Sequence, residues 1–164
     1  MALAFIGLGS NLGPGPENLL AAWRKLKDMA GVTPLALSPA YRSAPLGMES
    51  DAWFTNAVGV CETSLPPRGL LSVLLKIEAD MGRDRAAGRD RVIDLDLLYY
   101  DQQIIKEPGL VVPHPEIAQR LFVLAPLCDL APDHPHPATG RSSLEMRQRV
   151  AGQAVELIAW GKPS

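Results

Sequence analysis

Thr33-Pro34-Leu35-Ala36-Leu37-Ser38-Pro39-Ala40-Tyr41 and Phe54-Thr55-Asn56-Ala57-Val58-Gly59-Val60-Cys61-Glu62-Thr63 are two extended runs separated by a Pro/Gly-containing loop. Parallel neighbours in a sheet need a crossover of a dozen or more residues, usually a helix. No helical pattern lies between these two runs, so a doubly wound parallel sheet is set aside in favour of an antiparallel one. Upstream, residues 2–8 form a short apolar run ended by glycines. A helix then opens with Pro16 in its first turn and carries Leu19, Leu20, Trp23, Leu26 and Ala30 on one face, with Gly31 as its stop. Downstream, Pro66 and Pro67 open a second helix, on which Leu70, Leu74, Ile77 and Met81 recur at helical spacing before Gly82. A strand over residues 92–100 follows, then a turn at Asp101-Gln102-Gln103 into a short strand at Ile104-Ile105. The order β-α-β-β-α-β predicts an α+β split plait, with helices on an antiparallel sheet and the first and last strands side by side. Apolar helical stretches around residues 116–130 and 144–158 are expected to cover the sheet or its edge.

The chain has 164 residues, 47% of them hydrophobic, which is enough for one domain over residues 1–164 with a sizeable core. Sixteen Lys and Arg against eighteen Asp and Glu leave a net charge of -2, so nothing global recruits nucleic acid or an anionic membrane. Only 5% of residues are aromatic, too few for a nucleic-acid-binding sheet face. Cys61 and Cys128 lack CxxC spacing and read as buried thiols of a reducing compartment. The N-terminus lacks a signal-peptide pattern, and a cytoplasmic protein is expected.

The strand Arg91-Val92-Ile93-Asp94-Leu95-Asp96-Leu97-Leu98-Tyr99-Tyr100 carries two acids among aliphatics. Strand alternation puts Asp94 and Asp96 on one face and Ile93, Leu95 and Leu97 on the other, with the acids about 7 Å apart at Cα. One reading is a set of surface ion pairs with the arginines of the preceding loop. The other is a metal-phosphate site, in which both acids hold hard cations while Arg83, Arg85, Arg89 and Arg91 clamp phosphates. The apolar setting of the acids and the excess of arginine favour the second.

Other candidates are weaker alone. Gly7-Leu8-Gly9-Ser10-Asn11-Leu12-Gly13 imitates a dinucleotide fingerprint, but the third glycine is needed where Leu12 stands. A turn with close backbone packing is the better reading, with an anion site at the following helix N-terminus as the alternative. Phe54 and Asn56 share a strand face beside the Ser43-Ala44-Pro45-Leu46-Gly47 loop, where a flat ring would stack on Phe54 and exchange hydrogen bonds with the Asn56 amide. His114, in Pro113-His114-Pro115, lies close in sequence to the cation Arg120 and the aromatic Phe122. His134 and His136 alternate with Pro135 and Pro137 and lack a third nearby ligand, which reads as a loop rather than a metal site.

Together, Gly9-Ser10-Asn11-Leu12-Gly13, Tyr41-Arg42-Ser43-Ala44-Pro45-Leu46-Gly47, Asn56-Ala57, Ile77-Glu78 with Gly82-Arg83, Arg91 with Ile93-Asp94-Leu95-Asp96-Leu97-Leu98, and Pro113-His114 with Arg120-Leu121-Phe122 resemble one family, in order and in near-identical spacing. The chain resembles the 6-hydroxymethyl-7,8-dihydropterin pyrophosphokinases of folate biosynthesis. The resemblance implies a ferredoxin-like plait and transfer of pyrophosphate from ATP to the pterin hydroxymethyl group, releasing AMP. It implies that Asp94 and Asp96 bind two Mg²⁺ ions and that Arg83 and Arg91 steady the phosphates, with Arg85 matching less closely. It places Leu75, Glu78, Leu97, Val111, His114 and Arg120 along the ATP site. Ser43, Ala44, Pro45, Leu46, Gly47, Phe54, Asn56 and Phe122 would form the pterin pocket, with Phe54 and Phe122 sandwiching the ring. ATP and the pterin are the implied partners, and the protein is expected to act as a monomer. The chain departs from the family before the acid strand, where Gly88-Arg89-Asp90-Arg91 stands in a shorter loop without the usual Trp-Gly-Pro-Arg. Ala44 replaces a frequent proline, and Pro115 replaces a frequent tyrosine.

Overall fold

The computed structural model describes residues 1–43, 53–82, 91–153 and 155–158. The chain runs β1 (Ala2–Ser10), α1 (Gly15–Lys27), β2 (Val32–Leu37), β3 (Ala40–Ser43), β4 (Phe54–Thr63), α2 (Pro67–Asp80), β5 (Asp94–Tyr100), β6 (Ile105–Glu107), β7 (Leu110–Val112), α3 (Leu121–Leu130), α4 (Ser143–Arg149) and β8 (Val155–Ile158). The main sheet has the order β5-β1-β4-β3-β8, with β2 also on β4, and every pairing is antiparallel. The split plait is therefore present, and its first strand β1 lies beside β5 as expected.

The expected single run over residues 33–41 is two strands on the same edge of β4. Leu37 pairs with Gly59 and Tyr41 with Asn56, four steps on one chain against three on the other. The break falls at Ser38-Pro39, where proline has no N–H to give to the ladder. The Ser38 hydroxyl fills in by accepting from the Val58 N–H at 3.0 Å.

One sheet face holds the larger core. Ala4, Ile6 and Leu8 of β1, Ala57 and Cys61 of β4, and Leu95 and Leu97 of β5 meet Leu19, Ala22 and Leu26 of α1 and Leu70, Leu74 and Ile77 of α2. The other face carries Phe5, Val58, Leu98 and Tyr99 against Leu124 and Leu127 of α3 and Met146 of α4. A register shift of β1 against β5 between Phe5 and Ile6 puts the consecutive residues Leu98 and Tyr99 both in this second core and returns Tyr100 to the first. The chain thus forms three layers, with α3 and α4, from the C-terminal stretches expected to cover the sheet, on its second face.

Three expectations need correction. Residues 144–158 are not one helical stretch: α4 ends at Arg149, and Val155–Ile158 forms β8 on the open edge of β3. A short apolar run is ambiguous by period, and an unpaired strand edge supplies the backbone partners that decide it. The short strand at Ile104-Ile105 is the first arm of a β6–β7 hairpin turning at Pro108-Gly109, where Gly109 adopts φ 76°. The first strand continues past Leu8 to Ser10, because β4 and β5 pair with it on both sides.

Gly59 is required by packing. A Cβ there would lie 2.3 Å from the Trp23 ring, which sits on β4 from α1. Replacing Gly59 by Ala is expected to destabilise the fold by about 2 kcal/mol through overpacking, read as a lower urea midpoint at unchanged slope. Cys61 and Cys128 are both buried free thiols. Among the described residues no helix is long and apolar enough to cross a membrane.

Candidate active site

Beside α3, at one end of the sheet, opens a cavity of about 310 Å³ lined by Gly7, Leu8, Gly9, Ser43, Phe54, Asn56, Ala57, Val58, Arg91, Asp94, Asp96, Leu98, Arg120, Phe122 and Val123. Its floor follows from strand register. Gly9 lies between Asp94 of β5 and Asn56 of β4, and Gly7 lies between Asp96 and Val58. Two glycines on the strand between the acids and Asn56 leave a trough one strand wide. The carboxylate row and the Asn56 row are therefore about 10 Å apart at Cα. A Cβ on Gly9 would come to 3.4 Å from Asn56 Oδ1. The turn proper is made further on by Gly13, with φ 73°.

The acids face the cavity and the aliphatics between them face the α1–α2 core, as alternation requires. Glu78 of α2, 3% exposed, accepts from the Leu95 N–H at 2.8 Å and so grips the acid strand from behind. Burial, then Asp94, then Glu78 push the Asp96 carboxyl up to about 7, and the Arg120 and Arg91 charges only partly oppose this. Negative charge is thus concentrated beyond what the two described cavity arginines neutralise.

Below about pH 4 Asp96 is protonated in folded and unfolded chains alike. Between about 4 and 7 the folded metal-free chain keeps a proton that the unfolded chain has released, so stability falls as pH rises and levels off above 7. Asp96→Asn is expected to remove this loss, leaving the variant more stable than the parent at pH 8 by up to about 4 kcal/mol and equal to it near pH 4, measured by thermal melts.

Arg91 leans over the Phe54 ring at 5.4 Å, and its Nε lies 3.6 Å from Asp94 Oδ2. Its backbone is locked to the β1–α1 loop. The Arg91 N–H donates to Asn11 Oδ1 at 2.7 Å, and the Arg91 carbonyl accepts from the N–H groups of Asn11 and Leu12 at 3.0 and 3.2 Å. Asn18 in turn holds that loop, donating to Leu12 O at 2.8 Å. Arg120 lies 5.4 Å over Phe122 and pairs with Glu116. Asn56 Nδ2 donates to Ser43 Oγ at 2.8 Å, both residues being buried, which fixes one side of the amide and leaves Oδ1 toward the trough.

Ser43, Phe54, Asn56, Phe122, Arg91, Arg120, Asp94 and Asp96 are brought around one cavity. His114 stands beside them: its N–H donates to Leu98 O at 3.0 Å, and burial and the Arg120 charge lower its pKa while Asp94 raises it. Leu75 and Val111 are half-exposed, and the Leu97 side chain lies in the α1–α2 core; these three and Glu78 do not line the cavity. Arg83, Arg85, Ala44, Pro45, Leu46 and Gly47 lie outside the described residues. His134 and His136 pack at 4.7 and 5.8 Å from the Tyr99 ring, and no group of three metal-type side chains occurs among the described residues. Sequence reading took the Gly7–Gly13 stretch for a turn, with an anion site at a helix N-terminus as the alternative, and did not place Gly7, Gly9 or Asn11 in the trough. The signal was two glycines at alternate positions of one strand, whose meaning depends on which strands flank it.

Paired carboxylates, guanidinium groups and two aromatic rings around one cavity, carried on a split plait, suit a transferase of phosphoryl-type groups. Residues 5–132 match the model of the 7,8-dihydro-6-hydroxymethylpterin-pyrophosphokinase family. The chain is 42% identical over 135 residues to the 2-amino-4-hydroxy-6-hydroxymethyldihydropteridine pyrophosphokinase of Methylorubrum extorquens, covering 81% of this chain and 85% of that one. It is 37% identical over 155 residues to the folic acid synthesis protein fol1 of Pneumocystis carinii, covering 94% of this chain but only 21% of that longer protein. The crystal structure of an HPPK-DHPS protein of Plasmodium falciparum superposes with a TM-score of 0.76 at 15% identity, over 92% of this chain and 44% of that one, and shares the fold. The chain belongs to the 7,8-dihydro-6-hydroxymethylpterin-pyrophosphokinase family. It is a diphosphokinase, which transfers pyrophosphate from ATP to hydroxymethyldihydropterin in folate synthesis.

Proposed function

We propose that the trough is the reaction centre, with ATP lying along the Asp94–Asp96 side and the dihydropterin ring between Phe54 and Phe122. The observation that carries this reading is the row Asp94–Gly9–Asn56, which sets an acid row and a polar ring-recognition row on one face with no side chain between them. The hard oxygen donors of Asp94 and Asp96, and the charge that raises the Asp96 pKa, suit two Mg²⁺ ions. Two carboxylates suffice, because Mg²⁺ normally completes its shell with substrate phosphates and water. When bound, such ions supply neutralisation of the triphosphate and acidification of the attacking hydroxyl.

The chain's own residues do the rest. Arg91 and Arg120 set guanidinium charge against the phosphate oxygens, and Arg83 and Arg85 are assigned the same task. Asn56, turned by Ser43, presents its amide to the edge of the pterin, with Ala44, Pro45, Leu46 and Gly47 assigned to the same pocket. Phe54 and Phe122 stack on the ring faces and exclude water. Leu75, Glu78, Leu97, Val111 and His114 are assigned to the ATP side. The hydroxymethyl oxygen loses its proton to solvent and bonds to the β-phosphorus as the bond from that phosphorus to the α–β bridging oxygen breaks, and AMP leaves with that oxygen. The whole chain is read as one pyrophosphokinase domain, acting in the cytoplasm as a monomer.

Incubation with ATP, Mg²⁺ and 6-hydroxymethyl-7,8-dihydropterin tests this. The parent should release AMP and the pterin diphosphate in equal amounts and Asp96→Asn almost none, whereas near-parental release by that variant would place the reaction centre outside the trough.

A further inference from the structure

We propose that Gln153 is a positioning residue that holds Arg120 and Phe122 in place for the transfer, which makes the segment after α4 part of the active site although it lies beyond residues 5–132 of the family match. The proposal rests on the assignment of Arg120 and Phe122 to the two substrates made above.

Gln153 stands in the turn between α4 and β8. Its Oε1 accepts from the Leu121 N–H at 2.9 Å, and its Nε2 donates to the Gln119 carbonyl at 2.8 Å. One primary amide therefore grips the backbone on both sides of Arg120, across more than thirty residues of sequence. Arg120 itself is held by local backbone bonds, its carbonyl accepting from the Val123 and Leu124 N–H groups at 3.1 and 3.0 Å, and the amide adds the tie to the residues on either side of it. Arg120 is the N-cap of α3 with extended backbone (φ -124°, ψ 105°), and its side chain makes no capping hydrogen bond. A guanidinium has no acceptor and cannot cap a helix, so the first-turn donor at Leu121 is satisfied from outside the helix, while the Arg120 side chain pairs with Glu116 and lies over the Phe122 ring.

The direction in which Arg120 and Phe122 enter the cavity is set by this junction, because both side chains leave the backbone within one residue of Leu121. The far end of α3 is tied separately, by the Tyr41 hydroxyl donating to Asp129. Val150 and Val155, on either side of Gln153, pack on the Tyr41–Leu121–Ala125 cluster and bring the amide into reach. Losing Gln153 frees the N-terminal end of α3 alone, so the cost falls on substrate contacts more than on the fold.

The test uses the full chain with Mg²⁺, ATP and 6-hydroxymethyl-7,8-dihydropterin at a temperature well below every variant's melting point. Gln153→Ala removes both hydrogen bonds, and is expected to raise the KM for ATP about tenfold and that for the pterin several-fold, with a smaller change in kcat. Gln153→Glu keeps the acceptor for Leu121 but loses the donor to Gln119, and should fall between. Met146→Ala, in the buried face of α4 and not itself lining the cavity, provides a stability control that should lower Tm and leave both KM values unchanged. In an Arg120→Ala background, Gln153→Ala should no longer raise the KM for ATP. The proposal is overturned if Gln153→Ala leaves both KM values within twofold of the parent, if Met146→Ala matches its effect, or if its effect adds in full to that of Arg120→Ala. If Arg120→Ala itself leaves the KM for ATP unchanged, the assignment of Arg120 falls and takes this proposal with it. If Arg120→Ala raises it and Gln153→Ala does not, only the positioning role is lost.

Discussion

Asp96→Asn is expected to lower the rate of AMP release by more than a thousandfold while leaving the chain folded and, without metal at pH 8, more stable than the parent. The two halves of this expectation have one cause. Asp96 sits near Asp94 and Glu78, and burial together with those charges pushes its carboxyl up to about 7. A carboxylate kept in such a place weakens the metal-free fold and becomes favourable only when cations arrive. The amide has nearly the same shape but no charge, so it relieves the repulsion and withdraws a ligand from the proposed Mg²⁺ pair. About 4 kcal/mol of transition-state stabilisation corresponds to a thousandfold in rate, which is reasonable for displacing a metal that touches the transferred group. Asp94→Ala should be comparably inactive. Steady-state AMP release and thermal melts on the same preparations provide the check, and near-normal turnover by either variant would remove the metal role of the acids.

The second large effect is expected at Asn56→Leu, which should raise the KM for the dihydropterin by a hundredfold or more while changing that for ATP by less than threefold. Leucine keeps the bulk but removes both ends of the amide. The loss is larger than for an exposed amide because the pocket is dry: Asn56 is 5% exposed and Ser43 3% exposed. A ring polar group that loses its partner there keeps its desolvation cost, and two such groups at 1–3 kcal/mol each give about 3 kcal/mol or more. Ser43→Ala should have a smaller effect of the same kind, since it only frees the amide that Ser43 now orients at 2.8 Å. Binding of the pterin in the presence of an unreactive ATP analogue separates recognition from chemistry, and an unchanged affinity for Asn56→Leu would move ring recognition elsewhere.

Much of the centre was legible because strands and helices have fixed periods. Two acids two residues apart must share a strand face, and so must Phe54 and Asn56. The same rule assigned Leu95 and Leu97 to the core, where they lie. It stopped working at Leu98-Tyr99, where the register shift of β1 against β5 sends two consecutive residues into one core. Residues 144–158 read as helix because a short apolar run fits either period, and only the open edge of β3 made Val155–Ile158 a strand. Gly7 and Gly9 looked like turn residues for a related reason: a missing side chain has no meaning until the side chains beside it are known.

The sequence by itself determined the order of the elements, the antiparallel character of the sheet and the chemical character of the residues that line the trough. All of these follow from spacing along one chain and from the donors each residue carries. Tertiary structure alone decided that Gly9 separates Asp94 from Asn56, that Asn11 locks the backbone of Arg91, and that the amide of Gln153 closes on the turn bearing Arg120. Those relations join residues 32 to 85 positions apart in sequence through backbone register and hydrogen bonds, which local periodicity does not encode.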